Sequence, residues 1–281
     1  MNVLVTGASG YLGGALLRYL DANHPGWDVH ATFFSIPPAD GYPNAHSLDL
    51  RDPHSVERVL AAAQPDLIFH TAALNEGDAQ EMYETNARGS EYLAKGAAKQ
   101  GARLIHLSSD VIFDGTRGNY SEDDTPNPIT PYAVSKADAE KAVLASGADA
   151  VLVRTSLIYG FKPLDRRTRS ILLGEMPRLY TDEMRCPIWV NNLCEALVEV
   201  GEMDYRGVLH VAGTQPLSRY DFGMKLMEAM NGDPGQLIPA RSSENSLVRP
   251  LDCTLNVSRA QRILKTKLMS VDEVLARRGS S

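Results

Sequence analysis

Cysteine, positive charge and long apolar runs are all scarce in this sequence, and each scarcity excludes something. The three cysteines, Cys186, Cys194 and Cys253, show neither C-x-x-C nor Cys/His metal spacing, so buried free thiols are expected in place of a zinc site or disulfides. Lys and Arg number 28 against 35 Asp and Glu, a formal charge of −7. That balance lacks the basic face that nucleic-acid binding needs to displace counterions. No apolar run approaches the length of a membrane span, and Met1 leads directly into an apolar segment with no room for a secretory leader. The chain is therefore expected to be cytoplasmic, without a nucleic-acid or membrane partner and without a bound metal. Its 281 residues, 43% of them hydrophobic, suffice for a full core and suit a nucleotide domain with a smaller appendage.

The stretch Asn2–Leu20, NVLVTGASGYLGGALLRYL, joins an apolar, β-branched run to a helical one through three evenly spaced glycines. Asn2–Thr6 predicts a buried parallel strand, and Leu12, Leu16, Leu17 and Leu20 recur at helical spacing. Gly7 suits the positive φ of a tight turn, Gly10 leaves room for a pyrophosphate, and Gly13 lets the helix lie close to the strand. With Ser9, Tyr11 and Leu12 in the same turn, the helix start offers its N–H groups to a phosphate. A glycine turn without a ligand is the competing reading at this point.

Trp27–Phe34 and Ala45–Leu48 predict the next strands, separated by a Pro/Gly-rich loop over Pro37–Asn44. The second strand ends in Phe34, Ser35 and Ile36. An Asp or Glu there would bind a ribose 2′-hydroxyl and repel a 2′-phosphate. Neither acid nor arginine is present, while Thr32 and Ser35 can donate hydrogen bonds, so NADP is preferred and NAD is the alternative. Asp49 and Leu50 follow the third strand, where a carboxylate can accept from an adenine amino group; a cap network of Asp49 and Asp52 ahead of the helix Pro53–Ala63 competes with that reading. In the fourth strand, Asp66–Leu74, the small Thr71, Ala72 and Ala73 would let a flat cofactor lie against the strand end. Gln80–Gln100 reads as one long helix carrying Asn86, and Ala102–Leu107 as a fifth strand ending in Ser108, Ser109 and Asp110. Strands alternating with amphipathic helices predict an α/β fold, a Rossmann-type doubly wound parallel sheet whose ligands gather at the carboxyl ends of the strands.

A second pattern, NPITPYAVSKADAEKAV over Asn127–Val143, places Tyr132 in the first turn of a helix opened by Thr130 and Pro131. Lys136 then lies one i,i+4 step along the same face. An ammonium beside a phenol, at the positive end of a helix, favours the phenolate and pulls the phenol pKa down. Such a tyrosine can give a proton to a carbonyl oxygen or remove one from an alcohol.

Six runs together span nearly the whole chain: TGASGYLG (Thr6–Gly13), LSSDVIFDG (Leu107–Gly115) with Tyr120 and Glu122 after it, YAVSK (Tyr132–Lys136), VRTSLIYG (Val153–Gly160), GVLHVAG (Gly207–Gly213) and RPLDCTLN (Arg249–Asn256). In these runs the sequence resembles the extended short-chain dehydrogenase/reductase family, and within it the dTDP-4-dehydrorhamnose reductase-like group. The resemblance implies an NAD(P)H-dependent oxidoreductase that reduces a keto group on a nucleotide-linked 4-keto-sugar. It implies that Ser109 hydrogen-bonds the reacting carbonyl, that Tyr132 donates the proton, and that Lys136 holds the nicotinamide ribose while lowering the pKa of Tyr132. Asn86 would shape the helix behind the lysine. The group usually carries threonine where Ser109 stands and tyrosine where Val111 stands; the second departure removes a hydroxyl near the substrate. Two alternatives keep the same scaffold. One is a nucleotide-sugar epimerase or dehydratase that oxidises and restores a bound NAD; the other is a cofactor-binding regulatory subunit, since the β subunit of methionine adenosyltransferase is similar to this group.

Residues 1–160 are expected to form the NAD(P)-binding domain. Residues 161–281 are expected to form mainly a substrate-binding lobe, with some segments returning to the first domain. Phe161–Arg185 is rich in basic residues. Arg185 and Arg249 are candidates for the substrate diphosphate, because a guanidinium matches phosphate geometry with two parallel hydrogen bonds. Arg166–Arg169 is expected to be a solvated loop. Helices are expected over Leu193–Val200, Arg219–Met230 and Ser270–Arg277, with Met224, Met227 and Met230 as a core stripe. A homodimer stays open.

Overall fold

Parallel pairing of the apolar runs decides this architecture. The computed structural model describes residues 1–38, 42–244 and 248–279; residues 39–41 of the Pro37–Asn44 loop lie outside the described residues. Strands β1 (Asn2–Thr6), β2 (Asp28–Phe33), β3 (Ala45–Ser47), β4 (Leu67–His70), β5 (Arg103–Ser109) and β6 (Asp149–Thr155) join the strand Gly207–His210 in a seven-stranded sheet. The order runs from the Gly207–His210 strand through β6, β5, β4, β1 and β2 to β3. Pairing is parallel from β3 across to β5, with Val3 opposite both Val29 and Leu67. The chain builds outward from β1 to β3 on one side and restarts at β4 on the other. That reversal opens a crevice at the carboxyl ends of β1 and β4.

The first unit's core packs Leu4, Ile68, Leu104 and Leu152 of the sheet against α2 (Pro53–Ala63), α4 (Gly89–Gln100) and α5 (Pro131–Ala145) through Val56, Leu60, Leu93, Ala97 and Val143. The start of α2 is fixed locally: Pro53 takes the first helical position, and the Asp52 side chain accepts from the His54 N–H at 3.0 Å.

The expected single helix over Gln80–Gln100 is interrupted. It comprises α3 (Ala79–Tyr83), a widened π turn over Glu84–Arg88, and then α4. Asn86 lies buried inside the π turn. Its side chain accepts from the Leu74 N–H at 2.8 Å and donates to the Leu74 carbonyl at 2.7 Å and to Ser135 Oγ at 2.9 Å. The extra residue in the turn turns this amide inward, a common use of π turns at functional sites.

The sequence suggests a domain over residues 1–160 and a lobe over 161–281 with segments returning to the first domain; in the structure the chain divides into two interleaved units. One is Met1–Ser109, Pro131–Val153 and Cys194–Leu209; the other is Asp110–Thr130, Arg154–Leu193 and His210–Ser281. Segments that follow β5, β6 and the Gly207–His210 strand in the chain supply the second unit. That unit has its own core, including Tyr159, Ile171, Leu179, Phe222, Leu226, Met227 and Val271. Met227 is interior there, and Met224 packs at its margin. The three cysteines are free and buried. Among the described residues no helix is long and apolar enough to cross a membrane, and no group of three or more His, Cys, Asp or Glu is placed to hold a metal.

Candidate active site

The turn after β1 is closed by glycine. Gly7 has φ +69°, and a Cβ there would lie 2.6 Å from Ala72 Cα; a Cβ on Gly13 would lie 2.3 Å from the Gly7 carbonyl oxygen. Helix α1 (Tyr11–Asn23) therefore packs directly on the turn, and its start carries no side-chain cap, so its leading N–H groups form an anion-binding end. A cleft of about 280 Å³ opens over this turn. Of the residues proposed for the cofactor from sequence, Gly7, Ser9, Gly10, Asp49, Leu50, Thr71, Ala72 and Ala73 line it. Tyr11, Leu12, Gly13, Ser35, Tyr132 and Lys136, also proposed for the cofactor, are not among the lining residues. Thr32, Phe34, Arg51, Glu81 and Thr85 also line the cleft. The turn, the uncapped helix start and the small residues after β4 fit a dinucleotide laid across the strand ends.

Asp49 lines the cleft with its carboxylate held by Arg51. Its carboxylate accepts from Arg51 Nε and Nη2, both at 2.9 Å, and from the Arg51 N–H at 3.0 Å. Arg51 holds the Asp49 carboxyl below its ordinary pKa. The cap belongs to Asp52 alone.

Ser109 is the last residue of β5 and Tyr132 the second of α5, and both are half-buried. Lys136, one turn beyond Tyr132, is enclosed, and its Nζ donates to the Leu107 carbonyl at 2.5 Å. Burial pushes the ammonium pKa down to about 8, against a smaller opposing pull from Glu140. Behind it, Ser135 Oγ accepts from Asn86 and donates to the Tyr132 carbonyl at 2.8 Å.

A buried chain of hydrogen bonds supports the same turn from below. Thr6 Oγ1 and His70 Nδ1 share a bond of 2.7 Å, His70 Nε2 and Ser90 Oγ one of 3.0 Å, and Ser90 Oγ donates to the Asn86 carbonyl at 2.5 Å. Burial holds the His70 pKa down to about 3, so the ring is neutral, with one donor and one acceptor nitrogen. Sequence reading missed His70 and Ser90, since a histidine ending an apolar strand carries no local signal.

The two arginines proposed for a diphosphate part company. Arg185 is buried: Nη1 donates to the carbonyls of Met184 at 2.7 Å and Leu251 at 2.8 Å, Nη2 donates to that of Pro250 at 3.0 Å, and Nε lies 3.7 Å from Asp110 Oδ2. Its guanidinium is committed to the fold of the second unit. Arg249 instead lines a pocket of about 220 Å³ in that unit with Arg167, Arg178, Arg219, Tyr180 and Glu183. Arg167 overturns the expectation of a solvated loop: Asp165 caps the helix Arg166–Leu172, and Arg167 Nη1 is enclosed with no hydrogen-bond partner among the described residues. Buried Glu183 accepts from Arg249 Nη1 at 3.2 Å and from Ser242 Oγ at 2.9 Å, and lies 3.4 Å from Arg219 Nε. Four arginines and one glutamate line this pocket, a net positive lining that suits an anion.

The chain is similar to known proteins over most of its length. The β subunit of methionine adenosyltransferase 2 from Bos taurus is 30% identical over 280 residues, covering 93% of this chain and 82% of that protein. The dTDP-4-dehydrorhamnose reductase of Mycobacterium tuberculosis (strain ATCC 25618 / H37Rv) is 32% identical over 258 residues, covering 86% of this chain and 80% of that protein. Among solved structures, the dTDP-4-dehydrorhamnose reductase from Bacillus anthracis str. Ames in complex with NADP superposes with a TM-score of 0.85 at 25% identity, covering 98% of this chain and 97% of that one. The family model described as "RmlD substrate binding domain" matches residues 1–278, and the chain belongs to that family.

Proposed function

We propose that the protein is an NADPH- or NADH-dependent reductase of a keto group carried on a nucleotide-linked 4-keto-sugar. The observation that carries this reading is the bond from Lys136 Nζ to the Leu107 carbonyl, which ties the first turns of α5 to the end of β5 two residues before Ser109, in the unit that holds the glycine cleft. Ser109 comes from the end of β5, and Tyr132 and Lys136 from the first turns of α5. When bound, the nicotinamide cofactor supplies the hydride.

The protein's part is position and the proton. Ser109 Oγ–H hydrogen-bonds the substrate carbonyl oxygen. Tyr132 gives that oxygen its phenolic proton as negative charge develops. Lys136 spends one of its three N–H bonds on Leu107, which leaves two for the nicotinamide ribose and for stabilising the phenolate. The arginine-lined pocket, with Arg249 on its wall, supports a substrate carrying a phosphate or diphosphate. Buried free thiols suit a reducing, cytoplasmic setting.

The test is cofactor oxidation by the purified protein, followed at the absorbance of NADPH and NADH separately, across a panel of nucleotide-linked 4-keto-sugars. Steady consumption with one sugar is the expected result. Sugar turnover without net consumption would point to an epimerase or dehydratase. A second reading, a cofactor-binding regulatory subunit, is supported by the likeness to the methionine adenosyltransferase 2 β subunit. It would be favoured by cofactor binding with no reaction across the panel.

A further inference from the structure

Arg51 stands where the sequence shows a gap. β2 runs out into Phe34 and Ser35, neither of them charged. The side chain of Arg51, delivered from the turn after β3, places its guanidinium carbon 5.0 Å from the centre of the Phe34 ring. Parallel pairing of β2 with β3 makes the meeting possible. Among the described residues lining the cleft, Arg51 is the one Lys or Arg. In the sheet order, β2 and β3 lie on the opposite side of β1 from β4 and β5. Arg51 therefore belongs to the side of the cleft where the adenosine of a dinucleotide lies, across β1 from the strand that ends in Ser109.

Its partners differ in strength. Asp49 holds the guanidinium through two bonds of 2.9 Å, which fixes its plane. Glu81 reaches Nη1 at 3.2 Å from a side chain that is 51% exposed, and an exposed ion pair of that kind contributes little. A phosphate offers the guanidinium shorter, charge-assisted bonds than Glu81 does.

We infer that Arg51 is the residue that recognises the 2′-phosphate of NADP(H), keeping Asp49 as its support and releasing Glu81. The inference rests on the cofactor reading above. Arg51 then does from the third strand what an arginine at the end of the second would do, and Glu81 competes with the phosphate.

The test is calorimetric titration of the wild-type chain, Arg51→Ala and Glu81→Gln with adenosine 2′,5′-bisphosphate, AMP, NADPH and NADH. Arg51→Ala is expected to weaken adenosine 2′,5′-bisphosphate and NADPH about tenfold or more, the loss of a charge-assisted pair. AMP and NADH should change less than about twofold. Glu81→Gln, which removes only an exposed carboxylate, should tighten the two 2′-phosphorylated ligands selectively and carries the test if Arg51→Ala does not fold. Equal weakening of all four ligands by Arg51→Ala would make Arg51 a loop support and overturn the inference. So would unchanged selectivity in the variants. Wild-type protein that binds none of the four would bring down the cofactor reading itself, and this inference with it.

Discussion

Asn86 Nδ2 donates to Ser135 Oγ at 2.9 Å, joining a π turn to the helix that carries Tyr132 and Lys136. The same amide holds both backbone groups of Leu74, a lining residue of the glycine cleft. One side chain thus spans the cleft wall and the helix that carries Tyr132 and Lys136, and the hydrogen-bond chain through His70 and Ser90 ends on the backbone carbonyl of the same residue.

Asn86→Ala should accordingly affect stability and turnover together. It strands the Leu74 N–H and carbonyl, and denaturant unfolding should show a loss of about 2–3 kcal/mol, the cost of partly buried polar groups without partners. Ser135→Ala should cost about 1 kcal/mol. The double variant should lose less than the sum of the two, because both single changes break the same bond. Strict additivity in that cycle would show that the Asn86–Ser135 bond contributes nothing.

Tyr132→Phe should leave cofactor affinity within about twofold and lower turnover by a factor of about 10²–10⁴, as for a missing general acid. The aromatic ring, and the Ser135 bond to the residue 132 backbone, survive the change. Pre-steady-state mixing of the loaded variant with substrate would locate the loss in the reductive step. Wild-type turnover in this variant would mean that the proton comes from elsewhere.

Lys136 sets a pH limb. Its ammonium titrates near 8 because burial penalises the charge, and reduction uses the charged form. The kcat/KM for ketone reduction should therefore fall as pH rises through about 8. Lys136→Arg should keep activity to higher pH, and Lys136→Met should show a low, flat profile over the same range. For stability the sign is opposite. Between about 8 and the ordinary lysine value near 10.4 the unfolded chain binds the extra proton, so this residue's penalty, complete below about 8, is relieved as pH rises through that window.

What the sequence made legible follows the range of the interactions. The glycine turn, β1, and α2 with its Asp52–Pro53 start are written in neighbouring residues, and the expected and observed bounds of α2 coincide at Pro53 and Ala63. The π turn is not written locally, because Asn86 is turned inward by Leu74 and by Ser135, which is 49 positions away. Helical periodicity has no marker for such a pull. Arg51 was hidden for the same reason: only the pairing of Phe33 with Ser47 brings the turn after β3 beside Phe34. Counting basic residues between Phe161 and Arg185 took in Arg167 and Arg178, which line the arginine pocket with Arg219 and Arg249 from later in the chain. It could not tell which arginine meets backbone carbonyls and which meets the pocket.

That last distinction separates two variants. In Arg185→Ala the Pro250 carbonyl loses its side-chain donor, the carbonyls of Met184 and Leu251 are left with the backbone N–H groups of Cys253 and Met184 alone, and Asp110 loses a cation 3.7 Å away in a buried setting. Removing one member of a buried pair costs about 3–5 kcal/mol, so thermal unfolding should move down sharply or the protein should fail to accumulate. Arg249 has a side chain that is 43% exposed. Its loss leaves Glu183 with Ser242 and Arg219, so Arg249→Ala should cost about 1 kcal/mol or less. Its effect should appear in the substrate: KM for a nucleotide-linked sugar should rise about tenfold or more, the loss of a charge-assisted pair, while kcat changes little. The two measurements, unfolding midpoint and KM, should rank the variants in opposite orders. Equal rankings would mean that both arginines serve the fold, and the anion would then have to be held by Arg167, Arg178 and Arg219.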